Sequence, residues 1–308
     1  MSTSDKLHLG MDIGGSSVKF GWGNCQSGLQ YCSKFELSHK SLFHLSQTIH
    51  RILEQCGREV GWENIGAIGI GTPGTIDRSS GRIVGVNPNL PFWVDVNPGE
   101  LIPPELQVPV FHDNDANLMC LAEAWLRGSR GKVLGITVGS GIGCGYVQDG
   151  RIYHGAHGFA LELGHVTSVP QGEPCSCGRK GCLEAYASVE GIRRRMQALP
   201  EAGERINSSS GLSDLLSLSR SDPAAERIIH AGEDILARGI SDLVVILDPD
   251  VVVIGGGAME GGLYDGQALE QAVRGYLPPL NAASTSLEPA LEGNRAGVLG
   301  AVVLASTS

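Results

Sequence analysis

Apolar and polar positions alternate over 6–13, 17–23 and 29–35, with Gly, Ser, Asn and Gln between the runs. That pattern predicts three strands joined by tight turns. The period then lengthens. Leu42, Leu45, Ile49, Ile52 and Leu53 recur at helical spacing, so 41–57 reads as a helix stopped by Gly57. A buried strand follows over 65–71. The stretch 75–87 reads as turn and strand, and 88–109, with six prolines, as loop. A short strand at 108–112 leads into a helix over 116–128. Strands at 132–138 and 142–148 flank a glycine-rich turn. Beyond them the chain is mostly helical, over 183–199, 212–218 and 224–247. A strand at 251–254 enters Gly255-Gly256-Gly257, and an apolar, small-residue helix closes the chain over 296–305. The segment 201–210 is the best candidate for a mobile loop.

The opening pattern occurs twice. Leu9-Gly10-Met11-Asp12-Ile13-Gly14 matches Leu134-Gly135-Ile136-Thr137-Val138-Gly139 at an offset of 125 residues. Each run then passes through Gly and Ser into another apolar strand. The repeat points to two similarly built domains, each offering a glycine turn to one ligand; chance likeness of two amphipathic hairpins is the other reading. Two domains also suit 308 residues, about twice a ~150-residue unit.

Composition narrows the function. A net charge of −10, with Arg193-Arg194-Arg195 the only basic block, argues against a nucleic-acid partner, whose binding needs phosphate neutralisation. No apolar run approaches ~18 residues, which predicts no membrane span, and the first nine residues lack the pattern of a secretory signal. Five of the eight cysteines are scattered: Cys25, Cys32, Cys56, Cys120 and Cys144. Cys175, Cys177 and Cys182 cluster. A chain long enough for a full core does not need disulfides, so a reduced cytoplasm and one metal site is the expectation.

The P-loop pattern is missing, and the one G-x-G-x-x-G match, Gly69-Ile70-Gly71-Thr72-Pro73-Gly74, lacks the helix that a dinucleotide fold places after it. The glycine turns offer a different phosphate site. Asp12-Ile13-Gly14-Gly15-Ser16-Ser17 and Gly139-Ser140-Gly141-Ile142-Gly143 each end a strand with amides unobstructed by side chains, and Gly255-Gly256-Gly257 adds a third such turn. Asp12 faces phosphate favourably only with a cation, which implies Mg²⁺. Ordinary hairpins are the plainer reading of either turn alone.

Cys175-Ser176-Cys177-Gly178-Arg179-Lys180-Gly181-Cys182 has metal-ligand spacing. Tetrahedral Zn²⁺ needs a fourth ligand; His165 is the first choice, with His154 and His157 as rivals. Four protein ligands would make the site structural. Unpaired loop thiols or a disulfide are the alternatives. At a strand-to-helix junction, Asn114-Asp115-Ala116-Asn117 supplies either an N-cap, from Asn114 or Asp115, or a carboxylate placed to accept a hydroxyl proton. Glu162 and Glu184 flank the cysteine cluster. They are solvated surface residues or acceptors for the hydroxyls of a polyol.

Taken together, these motifs resemble the ROK family of sugar kinases and repressors, within the actin-like ATPase superfamily. The resemblance rests on Asp12 to Ser16, Gly71-Thr72-Pro73-Gly74, Asn89 in the segment 87–93, Asn114 to Asn117, Gly139 to Gly145, Glu162-x-Gly-His165, and Cys-x-Cys-Gly-x-x-Gly-Cys-x-Glu184. It spans 7 to about 305. It implies an α/β fold of two domains with an interdomain cleft, the ribonuclease H-like arrangement, with 1–112 plus about 294–308 forming the smaller domain and 113–293 the larger. It implies an ATP-dependent hexokinase, glucose being the first substrate expected. Asp115 would be the general base on the 6-hydroxyl, and Asn89, Asn114, Asp115, Glu162, His165 and Glu184 would bind the sugar. Asp12, Gly14, Gly15, Ser16, Gly139, Ser140 and Gly141 would surround ATP·Mg²⁺, with Gly256 and Gly257 near the adenosine. His165, Cys175, Cys177 and Cys182 would hold structural Zn²⁺, His165 serving metal and sugar through its two ring nitrogens. Homodimerisation follows by analogy.

Two positions depart from the family pattern. Ser17 stands where members often carry Lys; Lys19 lies on the same strand face and reads as a surface lysine. Leu161 is larger than the small residue expected before Glu162. The alternatives within the family are N-acetylhexosamine, mannose, fructose or allose kinases, a polyphosphate-using enzyme, a catalytically inactive sugar-binding or regulatory protein, and a repressor. For a repressor, the eleven residues before Asp12 leave no room for a DNA-binding domain.

Overall fold

The structure, a computed structural model, describes residues 6–85, 90–200 and 205–308. Its contacts divide the chain into two units: Met1–Arg130 with Gly150–Ala160 and Asn294–Ser308, and Gly131–Asp149 with Leu161–Gly293.

The first unit begins with β1 (Leu7–Ile13), β2 (Ser17–Asn24) and β3 (Gly28–Glu36), then α1 (Leu42–Glu59) and β4 (Ile65–Thr72). A two-strand hairpin, β5 (Thr75–Ile76) and β6 (Ile83–Val84), follows. The absence of a helix after Gly74 agrees with the rejection of a dinucleotide motif. The proline-rich stretch forms only 3₁₀ turns at Pro98–Leu101 and Pro104–Leu106 among its described residues. β7 (Val110–Asn114) then runs directly into α2 (Asp115–Leu126). The sheet order is β3-β2-β1-β4-β7, antiparallel across the hairpins and parallel from β1 to β4 to β7.

The second unit holds β8 (Lys132–Val138) and β9 (Ile142–Gln148); the short β10 (Arg151–Ile152) belongs to the first. After α3 (Glu184–Ala187), α4 (Val189–Gln197), α5 (Leu212–Ser219) and the long α6 (Pro223–Leu247) comes β11 (Val251–Gly255). The chain continues through α7 (Gly257–Glu260), α8 (Gly266–Tyr276), α9 (Pro279–Ser284) and β12 (Ser286–Pro289), and α10 (Ala296–Thr307) returns to the first unit. Here β9 pairs antiparallel with β8, β8 parallel with β11, and β11 parallel with β12. The order β9-β8-β11-β12 therefore repeats β2-β1-β4-β7, which gives the 125-residue sequence repeat a structural basis.

α10 is apolar all round, and most of it is buried, from Ala296 and Val298 to Val303 and Ala305. A helix without a polar face needs neighbours on every side. It packs on β1, β4 and α2. Contact is close because glycines on both sides let backbones approach: a side chain on Gly69 would strike the Ala301 backbone, and one on Gly300 the Leu118 backbone. This packing holds α2 in the first unit, so that 113–130 groups there, away from the expected boundary at 113. Each fully buried Leu, Ile or Val contributes roughly 1.5–3 kcal/mol, and the first core, with Leu9, Ile13, Ile68 and Ile70 fully buried, gathers many.

The expected helix over 183–199 is two helices. Ser188 leaves the helical conformation at ψ 160 and caps the next turn, its Oγ accepting from the Gly191 amide at 3.0 Å. The helix at 266–276 and the strand at 286–289 have no counterpart in the sequence reading. Of the expected mobile segment, 201–204 lies outside the described residues, and Asn207 to Ser210 forms a turn closed by the Ser210 amide on the Asn207 carbonyl at 3.1 Å.

Candidate functional site

In the first unit the site residues gather at the carboxyl ends of β1 and β7. Asp12 ends the sheet face of β1, and the turn beyond it is closed by its own strands: the Gly14 amide donates to the Ser17 carbonyl, and the Leu37 amide to the Ser16 carbonyl, both at 2.8 Å. The register sets Asp12 directly opposite Lys19, and Lys19 Nζ lies 3.5 Å from Asp12 Oδ2. Lys19 is thus the partner of Asp12, not a plain surface lysine, because strand residues facing each other across an antiparallel pair share one side of the sheet. Gly297 starts α10 against the same carboxylate; a Cβ there would lie 2.7 Å from Oδ2. Burial pushes the Asp12 carboxyl up, and Lys19 offsets part of the shift.

The junction of β7 and α2 resolves which residue caps the helix. Asn114 is the N-cap: its Oδ1 accepts from the Ala116 amide at 2.9 Å and the Asn117 amide at 3.4 Å. Its Nδ2 donates to the Gly74 carbonyl at 3.1 Å, which ties the junction to the turn after β4. Asp115 is left as the first helical residue, with Oδ1 accepting from the Ala116 amide at 2.9 Å. Burial, and then the negative charge of Asp12, push its carboxyl up to about 7. A carboxylate with that affinity for protons is matched to taking one near neutral pH.

Asp113, one residue earlier, is buried and fully engaged. Its Oδ2 accepts from His154 Nε2 at 2.6 Å and Arg78 Nη1 at 3.2 Å, and its Oδ1 from Asn117 Nδ2 at 2.9 Å and the Asn114 amide at 2.8 Å. Burial alone would raise this carboxyl, but His154 and Arg78 outweigh it and hold it below the ordinary value. His154, a rival metal ligand, is committed here. Sequence reasoning missed the cluster because its members are far apart in the chain. Asn89 lies outside the described residues. The segment after it is anchored by Trp93, fully buried, whose Nε1 donates to Thr72 Oγ1 at 2.6 Å.

In the second unit the turn Gly139 to Gly141 joins β8 to β9, with the Gly139 amide donating to the Gly141 carbonyl at 2.9 Å and Ser140 exposed. The turn after β11 lies beside it, since β8 and β11 pair up to Gly255 and Thr137. Gly256 has φ 101, and a Cβ there would lie 2.5 Å from the Val138 carbonyl oxygen, so glycine is required on both counts. Gly257, where α7 begins, is open on that side.

His165, Cys175, Cys177 and Cys182 place one donor atom each within 4.8 Å of one another. The Sγ atoms of Cys177 and Cys182 are 3.7 Å apart, and Cys175 Sγ is 3.6 Å from His165 Nδ1. Tetrahedral Zn²⁺, with bonds of about 2.3 Å to sulfur and about 2.0–2.1 Å to nitrogen, has S···S edges of about 3.8 Å and S···N edges of about 3.5 Å. The donor set therefore fits zinc in kind, and these two edges match its spacing. Nδ1 is the nitrogen facing the cluster, which leaves Nε2 pointing elsewhere. Burial and the neighbouring thiols push Cys182 up to about 12, so the anionic sulfurs that bind metal need a cation to coexist. The chain doubles back through Gly178 and Gly181, both at positive φ, and bridges join Thr167 to Cys182 and Pro174 to Lys180. All eight cysteines are free thiols, without a disulfide.

Glu162 is exposed and immediately precedes the 3₁₀ turn that carries His165, its carbonyl accepting from the His165 amide at 3.0 Å. Leu161 has φ 65, a conformation that favours glycine, at the place where a small residue was expected. Glu184 Oε2 accepts from the Ile142 amide at 2.9 Å, and Oε1 from Ser176 Oγ at 3.2 Å.

Comparison with known proteins supplies the framework for this geometry. The profile of the ROK family matches residues 8–308. The chain belongs to the ROK family. It is 31% identical to a glucokinase of Halalkalibacterium halodurans, over 96% of this chain and 94% of the relative. It is 34% identical to a glucokinase of Thermotoga maritima, over 82% and 83%. Among solved structures, the ROK hexokinase of Thermus thermophilus superposes with a TM-score of 0.82 at 32% identity, covering 97% of each chain. The fold is the mixed α/β actin-like ATPase fold. Among the described residues, no helix is long and apolar enough to cross a membrane.

Proposed function

We propose that this ATP-dependent sugar kinase transfers the γ-phosphoryl group of ATP to the 6-hydroxyl of a hexose, with glucose as the preferred acceptor and Asp115 as general base. The observation that carries the reading is Asp115 itself. A carboxylate raised to about 7 stands at the first turn of α2, in a ROK-family chain whose relatives include glucokinases.

A sugar hydroxyl is a poor nucleophile until its proton has somewhere to go. Asp115 accepts that proton as the oxygen attacks the γ-phosphorus, a contribution of about 10²–10⁴-fold. The remaining acceleration comes from positioning and from neutralising phosphate charge. Asp12 is the carboxylate suited to Mg²⁺, which when bound offsets phosphate charge. The amides of Gly15 and Ser16 and of Ser140 and Gly141 are the candidate donors for phosphate oxygens, the Gly14 and Gly139 amides being used to close the turns, and the turn at Gly256 and Gly257 is the candidate for adenosine. Asn114, Glu162, His165 through Nε2, and Glu184 supply acceptors and donors for sugar hydroxyls, with Asn89 as a further candidate. Zn²⁺, held by His165, Cys175, Cys177 and Cys182, would fix the segment that carries three of them.

An ADP-release assay tests this directly. ATP·Mg²⁺ is offered with glucose, N-acetylglucosamine, N-acetylmannosamine, mannose, fructose and allose in turn, and polyphosphate as second donor. Turnover with glucose well above the other sugars is expected. A clear preference for an N-acetylhexosamine would replace the substrate while keeping the reaction. Absence of turnover with every sugar, together with sugar-dependent thermal stabilisation, would make this a binding protein.

A further inference from the structure

The turn Gly139 to Gly141 closes on itself with a single hydrogen bond, yet glycine turns are costly to hold in one conformation. Beyond the β8–β9 ladder, two further restraints come from one place. The Val189 amide donates to the Gly139 carbonyl at 3.0 Å, and Glu184 Oε2 accepts from the Ile142 amide at 2.9 Å. Both partners lie in the short stretch that follows the last cysteine. The carboxylate fits because glycine makes room for it: a Cβ on Gly141 would lie 2.6 Å from Glu184 Oε2, and one on Gly164 would lie 3.4 Å from the same oxygen. The break in the helix at Ser188 frees the Val189 amide for this use.

The second oxygen of Glu184 reaches the metal loop. Ser176, between Cys175 and Cys177, donates its hydroxyl to Oε1 at 3.2 Å. One side chain therefore clips the loop that carries Cys175 and Cys177, two of the four metal donors, to the Gly139–Gly141 turn. We propose that Glu184 is a positioning residue for the nucleotide: it holds the Gly139–Gly141 turn in its donor conformation, and it makes nucleotide affinity depend on the metal loop. This rests on the reading of that turn as a phosphate site and adds a second task to Glu184 besides sugar binding.

The test is calorimetric binding of a non-hydrolysable ATP analogue with Mg²⁺, without sugar, on zinc-replete protein whose metal content and melting temperature are recorded. Glu184→Ala removes a charge-assisted hydrogen bond and should weaken the analogue by about tenfold or more. Glu184→Gln keeps both links, its amide oxygen accepting from Ile142 and its amide nitrogen donating to Ser176, and should bind within about threefold of wild type. Ser176→Ala, an exposed site that leaves every metal ligand in place, should weaken the analogue a few-fold while zinc content stays full. Chelating zinc from the wild type should weaken the analogue, and should add little to Glu184→Ala. Wild-type analogue affinity in Glu184→Ala, with only sugar affinity reduced, overturns the proposal, as does failure of Glu184→Gln to restore binding. Wild-type protein that does not bind the analogue at all overturns the phosphate-site reading underneath it, a result distinct from unchanged binding in the variants.

Discussion

Two glycine turns leave equivalent strands of two sheets with the same strand order, and they are held by different means. The turn after β1 is closed by its own sheet, through Ser17 and through Leu37 at the end of β3. The turn after β8 is held by Glu184 and Val189, from a helical segment anchored to the cysteine loop. The side chains differ in the same sense. Position 12 is a half-buried carboxylate paired with Lys19, whereas its counterpart in the repeat is Thr137. One scaffold thus serves two tasks. The first unit holds the carboxylates proposed for acid–base work, Asp115 being raised by burial and then by Asp12. The second unit carries no such carboxylate pair in its turn and relies on loop order, which a metal site can supply.

That contrast can be broken from either side. The largest effect is expected in the second unit. Cys177→Ser should lose zinc by metal analysis and weaken sugar binding by about 100-fold, because the segment carrying Glu162, His165 and Glu184 loses its anchor. Native protein purified without chelator and free of zinc would remove the structural-site argument altogether.

The next effect belongs to the first unit. The Asp115 carboxyl is raised in the fold from 3.8 to about 7, so its ionised form is the disfavoured one. The stability that follows from this group is full at low pH and declines as pH rises from about 4 to about 7. Asp115→Asn, which does not titrate, should therefore melt no higher than wild type near pH 4. Its advantage should grow up to about pH 7 and then level off. Thermal melts across that range check it, and an advantage that shrinks with rising pH would contradict the sign. The smallest effect is expected at Lys19. Its pairing with Asp12 is partly exposed and worth little alone, so Lys19→Met should raise the KM for ATP·Mg²⁺ by only about threefold.

Much of this was legible before any coordinates. The period-two runs of β1, β2, β8 and β9 and the helical period of α1 and α6 are long enough to carry their own signal, and their observed limits lie within one or two residues of the expected ones. Cysteine spacing pointed to the loop, and the geometry selected His165 over His154 and His157. What stayed hidden depends on contacts between distant parts of the chain. Asp113 meets Arg78 and His154 across 35 and 41 residues, and Glu184 meets Ile142 across 42. The break at Ser188 had a local signal, since Ser is a preferred N-cap and its Oγ takes the Gly191 amide; the distant Gly139 carbonyl adds a partner for the Val189 amide. Helix α8 was open to the same reading: Ala268, Leu269, Ala272, Val273 and Tyr276 recur at helical spacing behind the N-cap Asp265.

The account turns on Asp115 as the proton acceptor, and the most direct measurement compares Asp115→Asn with wild type for ADP release and for sugar affinity in the same preparation. A fall in turnover of about 10²–10⁴-fold with sugar affinity kept within threefold is the predicted result. Turnover within tenfold of wild type would contradict it and require a different base.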